Sequence, residues 1–184
     1  MAQPSPAYLG VIRTIDWFTE YFGIALACFL VPILIVPNVY EVISRYVFHD
    51  PTIWALDVTT MVFGAMFMLG SAYALLKGAH VRTDMLWEGF SNRTKGTIDS
   101  IAFIVFFLPS MAVLTFSSWD DFIYSMSIGE RSNSGAWQPI IWPFRGVITL
   151  TFAMLFVQGV SELMKSLWAA RTGEFLVQHE KIEV

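Results

Sequence analysis

Charged side chains are scarce in this sequence: they make up 14% of its 184 residues, while 55% are hydrophobic. An average soluble domain has about 25% charged and about 45 to 50% apolar residues. The net charge of -4 has the wrong sign for nucleic-acid binding, which depends on Lys and Arg neutralising phosphates. The composition therefore argues against nucleic acid as a partner and indicates that the lipid bilayer is the solvent.

The sequence also has little cysteine and lacks the common catalytic motifs. Cys28 is the single cysteine, so neither an intrachain disulfide nor a thiolate metal cluster can form. The sequence has no nucleophile elbow and no phosphate-binding loop. Four long runs contain no ionisable residue at all, whereas proton-coupled transporters and carriers of charged substrates usually have such groups near the bilayer midplane. These absences disfavour an enzyme and a self-sufficient transporter.

The four charge-free runs are residues 21–40, 58–76, 100–119 and 146–161. About 20 helical residues cross a hydrocarbon layer of about 30 Å, and a helix satisfies its own backbone there. We predict a single all-α membrane domain over residues 1–184, with spans at about 21–42, 58–77, 100–119 and 143–163. Two amphipathic segments, 9–22 and 81–90, are predicted to lie along the membrane surface or to extend a span. The residues 91–96, "SNRTKG", are predicted to form a turn.

Basic residues predict the orientation. The segments before span one, between spans two and three, and after span four carry eight of the eleven Lys and Arg residues: Arg13, Lys77, Arg82, Arg93, Lys95, Lys165, Arg171 and Lys181. By the positive-inside rule these segments and both termini are cytoplasmic. His49 then lies on the opposite side from His80 and His179, so two axial haem ligands are not available between the helices.

His80, Arg82 and Asp84 cluster just after the second span. His80 and Asp84 share a helix face at i, i+4, a spacing that can serve a metal. Third and fourth ligands are missing, however, and Arg82 would oppose a cation. We therefore expect these residues to anchor the helix end at the cytoplasmic boundary or to contact a partner protein.

Other candidate positions lie in the outer loops and on helix two. Arg45 follows Glu41 by one turn and can pair with it. Asp57 lies near the start of helix two, where the helix dipole favours a carboxylate. Trp137 and Trp142 suggest a rigid aromatic return to the membrane. Gly70, Ala74 and Gly78 recur every four residues, so they predict a close-packing face for this bundle or for a partner.

The order of these features resembles the small membrane subunit of tripartite ATP-independent periplasmic (TRAP) transporters. The matching residues are Arg45 and Tyr46 with Phe48, Pro51 and Trp54 after the first span, then His80, Val81, Arg82 and Asp84 after the second, and "WQPIIWPFR" before the fourth. The family often has Glu shortly after the tryptophan, where this sequence has Asp57 nearby.

The resemblance implies a scaffold subunit in a bacterial inner membrane, with no cofactor of its own. It implies two partners: a large membrane subunit that carries the substrate and sodium sites, and a periplasmic binding protein that delivers an organic acid. Two alternatives remain open at this point. One is a small four-helix exporter, and the other is a membrane anchor subunit of a redox complex.

Overall fold

Four long helices make up the architecture in the computed structural model, which describes residues 4–78, 90–133 and 135–176. They are α1 (Pro6–Tyr46), α2 (Ala55–Leu76), α3 (Asn92–Ile128) and α4 (Trp142–Thr172). Each is long and apolar enough to cross a membrane. The predicted all-α fold with four spans is therefore confirmed, while the cytoplasmic location of the termini stays a prediction.

Helix α1 extends well beyond its predicted span. Its 41 residues correspond to about 60 Å of helix, twice the thickness of the hydrocarbon layer. The amphipathic segment 9–22 is thus continuous with the first span. The helix begins after Ser5, whose hydroxyl accepts a hydrogen bond from the Tyr8 N–H at 3.3 Å. Pro32 and Pro37 lie inside the helix, as membrane helices tolerate.

Helix α3 starts earlier than predicted and contains an irregular stretch. Ser91 caps its N-terminus by accepting a hydrogen bond from the Thr94 N–H at 3.3 Å. The turn predicted over residues 91–96 is therefore wrong, because Ser91 is the N-cap of the helix and the residues after it are helical. Residues Phe103–Phe107 form a π-helical turn, in which the Leu108 N–H donates to the Phe103 carbonyl five residues back.

Helix α4 lies at the centre of the bundle and packs against all three other helices. In the most apolar 18 residues of each helix, 44% are buried for α4 but 6% for α1 and for α3. The core lies between α2 and α4 and consists of Leu69, Ala72, Leu75, Met154 and Leu155. Large apolar faces of α1 and α3 consequently point outward, where lipid or another protein must cover them.

Glycines set the close approach of α3 to α4. A Cβ atom at Gly96 would lie 2.4 Å from the Ala170 nitrogen and 2.7 Å from the Ser166 oxygen, both backbone atoms. At Gly159 a Cβ atom would lie 2.6 Å from the Phe107 ring. The two helices can pack at this distance only because both positions lack a side chain.

Candidate functional site

A network of buried polar side chains joins the N-terminal part of α1 to the C-terminal part of α4. Lys165 Nζ lies 2.8 Å from Asp16 Oδ2 and 2.7 Å from Glu162 Oε1. The Lys165 and Glu162 side chains are 9% and 6% exposed, and that of Asp16 is 22% exposed. One ammonium group therefore pairs with two carboxylates at a largely buried site, and its removal would leave both of them uncompensated.

Gln158 connects the members of this network. Its Oε1 accepts a hydrogen bond from Thr19 Oγ1 at 2.8 Å. Its Nε2 donates to Asp16 Oδ1 at 3.1 Å and to Glu162 Oε1 at 3.2 Å. Ser161 Oγ donates to the same Asp16 oxygen at 2.8 Å. Because Gln158 is fully buried, these bonds satisfy an amide that apolar surroundings would otherwise penalise.

The position of the network along α4 indicates its depth. Glu162 follows Trp142 by twenty residues, which is about 30 Å of helix, so the two residues lie near opposite boundaries of the hydrocarbon layer. The network therefore fastens α1 to α4 at one end of the bundle. The charge-free run that predicts the fourth span ends at Ser161, so it does not reveal the network. The available signal was a polar stripe at spacings of three and four: Gln158, Ser161, Glu162 and Lys165.

At the opposite end of α1, Glu41 joins the helix to the loop that follows. The predicted pair with Arg45 is confirmed, with Arg45 Nη2 at 2.5 Å from Glu41 Oε1. Glu41 Oε2 accepts a hydrogen bond from the Thr52 N–H at 2.9 Å. The Arg45 side chain remains 54% exposed, so part of its guanidinium faces outward. A contact between Arg45 and a partner stays a prediction.

Asp57 lies in the first turn of α2, as predicted, and is buried. The loop of residues 129–141 covers it: a Cβ atom at Gly135 would lie 2.6 Å from Asp57 Oδ2. Within this loop Arg131 and Ile140 form an antiparallel bridge. The loop, rather than the Asp57 carboxylate, is thus the surface presented to solvent or to a partner.

The same loop is held to α4 by an ion pair. Arg145 Nη2 lies 2.8 Å from Glu130 Oε1. The Ser125 hydroxyl and the Arg145 guanidinium lower the pKa of Glu130 below its ordinary value. Trp137 is exposed, while the Trp142 ring lies 6.3 Å from that of Phe122 on α3. Trp142 therefore packs within the bundle at the start of α4, and Trp137 is the one of these two tryptophans that is exposed.

The small-residue face predicted on α2 is shorter than expected. Gly70 is exposed and lines an apolar groove of about 290 Å³ between α1 and α2, and Ala74 is half-buried. Gly78 lies outside the helix, which ends at Leu76, and adopts a φ of 68°. Its inclusion in the face was therefore wrong, because a left-handed glycine turns the chain away from the helix axis.

His80, Arg82 and Asp84 lie outside the described residues, so their expected anchoring role stays a prediction. Within the described ranges, no group of three or more His, Cys, Asp or Glu side chains could hold a metal ion.

Comparisons with known proteins agree with this architecture. The family model for tripartite ATP-independent periplasmic transporters, DctQ component, matches residues 33–168. The C4-dicarboxylate TRAP transporter small permease protein DctQ of Vibrio cholerae is 29% identical over 69 residues, which cover 38% of this chain and 30% of that protein. The match thus spans less than a third of the relative's length. No solved structure matches this chain.

Proposed function

This chain belongs to the DctQ family of TRAP transporter components, and we propose that it is the fixed scaffold subunit of a sodium-coupled uptake system for organic acids. The family consists of small inner-membrane transporter components and is not an enzyme family. The matched relative is described as a C4-dicarboxylate transporter component, which supports a carboxylate as the transported substrate. Family membership argues against both the self-sufficient exporter and the redox anchor.

The observation that carries the scaffold role is that the charged groups at the boundary of the spans are paired within the bundle. Asp16, Glu162 and Lys165 bond to one another and to buried amide and hydroxyl groups at one end of the bundle. Two concavities on the described surface lie within the spans, and neither is lined by a charged side chain. A charged substrate or a sodium ion would need polar ligands there. The described part of the chain thus supports the proposal that this subunit has no substrate site of its own and that the large subunit supplies both sites.

The outward apolar faces support packing against that large subunit. Exposed positions on α1 and α3 include large apolar side chains such as Phe29, Val36, Phe106 and Phe116. Packing of this kind would enlarge the fixed scaffold against which the transport domain of the large subunit moves. On the outer side, the loop of residues 129–141 and the exposed end of α1 form the surface that the periplasmic binding protein would approach.

Copurification tests this proposal. The chain is expressed together with a tag-free large membrane subunit encoded beside it, and is captured by a tag on its own N-terminus. We expect the large subunit to remain bound through detergent purification and to elute with this chain in one peak. Elution of this chain by itself, with the large subunit folded but absent from the peak, would refute the scaffold role.

A further inference from the structure

The ammonium group of Lys165 occupies a position that has the features of a cation site. Its Nζ lies between Asp16 Oδ2 at 2.8 Å and Glu162 Oε1 at 2.7 Å, and the Lys165 side chain is 9% exposed. Both contacting atoms are carboxylate oxygens, the type of ligand that hard metal ions prefer in proteins. Within the described ranges, no other basic side chain forms an ion pair with either carboxylate.

The rest of the network holds the two carboxylates in place independently of Lys165. Gln158 Nε2 donates to Asp16 Oδ1 at 3.1 Å and to Glu162 Oε1 at 3.2 Å. Ser161 Oγ donates to Asp16 Oδ1 at 2.8 Å. Gln158 and Ser161 are fully buried, so these donors have little freedom to turn away. They carry no charge, and the two carboxylates therefore need a positive counter-ion, whichever group supplies it.

The distances indicate which class of ion this position would accept. Ca²⁺ binds oxygen at about 2.3 to 2.6 Å and Mg²⁺ at about 2.0 to 2.1 Å, whereas the Lys165 nitrogen lies 2.7 and 2.8 Å from its two oxygens. An ammonium group is close in size to a potassium ion, so potassium can take its place without a movement of the carboxylates. The Asp16 side chain is 22% exposed, so water and ions can reach the network from that side.

We propose that the carboxylates of Asp16 and Glu162 form a monovalent-cation site, which Lys165 fills with its tethered ammonium. The covalent link supplies the counter-ion at every salt concentration, whereas a free ion would leave the site as its concentration fell. The contact between α1 and α4 is consequently insensitive to the sodium and potassium concentrations around the protein. The inference goes beyond the proposed function, because it concerns this chain alone and holds whether or not a large subunit binds.

Lys165→Ala tests the site, because it removes the tethered ammonium and leaves room for a free ion. The stability of the full chain in mixed micelles is measured by urea titration in potassium chloride, sodium chloride and choline chloride at equal ionic strength. Choline is too large to fit between the carboxylates, so it screens charge without binding. We expect potassium to raise the folding equilibrium constant of this variant about tenfold over choline, as does a ligand at about ten times its dissociation constant. Sodium should raise it less.

The unmodified chain and Lys165→Met are the matched controls. The ammonium already fills the site in the unmodified chain. In Lys165→Met the terminal methyl group lies one bond from the position of Nζ and excludes an ion. Neither protein should distinguish potassium from choline. Lys165→Ala combined with Glu162→Gln retains a single carboxylate, so it should be more stable than Lys165→Ala in choline and should respond much less to potassium.

Equal stability of Lys165→Ala in potassium and choline would overturn the inference, as would an equal potassium response of Lys165→Ala and Lys165→Met. If Lys165→Ala does not fold in choline, recovery of the fold in potassium is the predicted result, and the absence of recovery would contradict the site. A variant whose stability is the same in all three salts and rises on acidification would show that a proton, rather than a metal ion, replaces the ammonium; this result would also overturn the inference.

Discussion

Replacement of Lys165 by methionine should strongly destabilise this protein. Methionine keeps most of the aliphatic stem but removes the ammonium that lies 2.8 Å from Asp16 and 2.7 Å from Glu162. Two carboxylates would then remain close together at a largely buried site. Breaking a buried ion pair by removing one partner costs about 3 to 5 kcal/mol, because the remaining charge is uncompensated. We expect a loss in this range.

Lys77 provides the matched control. Its Nζ lies 2.5 Å from Glu20 Oε1, so it also pairs with a carboxylate of α1. The two side chains are 46% and 41% exposed, and water and salt screen such a pair. Exposed ion pairs contribute about 0 to 1 kcal/mol. Lys77→Met should therefore have a much smaller effect than Lys165→Met, although both remove one Lys-carboxylate contact.

Denaturant titration of the purified chain in mixed micelles measures both free energies of unfolding, with helical circular dichroism as the signal. The additional changes Asp16→Asn and Glu162→Gln in the Lys165→Met background should restore part of the loss, since they remove the uncompensated charges. Equal destabilisation by Lys165→Met and Lys77→Met would show that the network does not fasten α1 to α4.

Three further outcomes follow from particular contacts. Gly96→Ala should lower the free energy of unfolding by about 1 to 3 kcal/mol through overpacking, because the added Cβ would lie 2.4 Å from the Ala170 backbone nitrogen. Gly10→Ala is the control: a Cβ atom there has nothing within 4 Å. In the same titration it should be neutral or stabilising. The lowered pKa of Glu130 means that its pairing with Arg145 stabilises the loop of residues 129–141 above the unfolded-state pKa of about 4.3 and loses this effect as the pH falls through the folded-state pKa. Hydrogen-exchange protection factors in the loop, which correct for the pH dependence of intrinsic exchange, should therefore fall on acidification, and a pH-independent difference from Glu130→Gln would refute this. Arg45→Ala should lower the yield of the copurified complex more than Lys181→Ala, and equal yields would remove Arg45 from the interface.

The membrane spans were predictable because hydrocarbon imposes a simple rule on sequence. A helix that crosses it needs about 20 apolar residues, so the gaps between charges locate the spans directly. The start of α4 at Trp142 agrees with the predicted boundary near 143. The length of α1 was harder to predict, because an amphipathic segment such as 9–22 can lie along the membrane or continue a helix.

The polar network was not predictable from charge-free runs alone. Asp16 and Lys165 are 149 positions apart and lie outside the charge-free runs. In the sequence, neither can be distinguished from an ordinary charged residue at a membrane boundary. Their contact depends on α1 extending to Pro6 and packing beside α4. Asp57 illustrates the same limit: its place in the first turn of α2 was predictable, but its burial under Gly135 depends on the fold of a distant loop.

The same limit applies to the association face on α2. Gly70, Ala74 and Gly78 recur every four residues, so they share one helix face only if the helix continues through all three. The helix ends at Leu76, and Gly78 takes a positive φ there. A glycine that follows a helix by two residues is as consistent with a terminating turn as with a packing face, and periodicity alone does not separate the two.

Uptake by reconstituted proteoliposomes tests the scaffold account most directly. Vesicles are prepared with this chain alone and with this chain together with the large subunit, and each is supplied with the substrate-loaded binding protein and an inward sodium gradient. We predict sodium-dependent accumulation of a radiolabelled organic acid only when both membrane subunits are present. Accumulation by vesicles that contain this chain as their sole membrane protein would contradict the account.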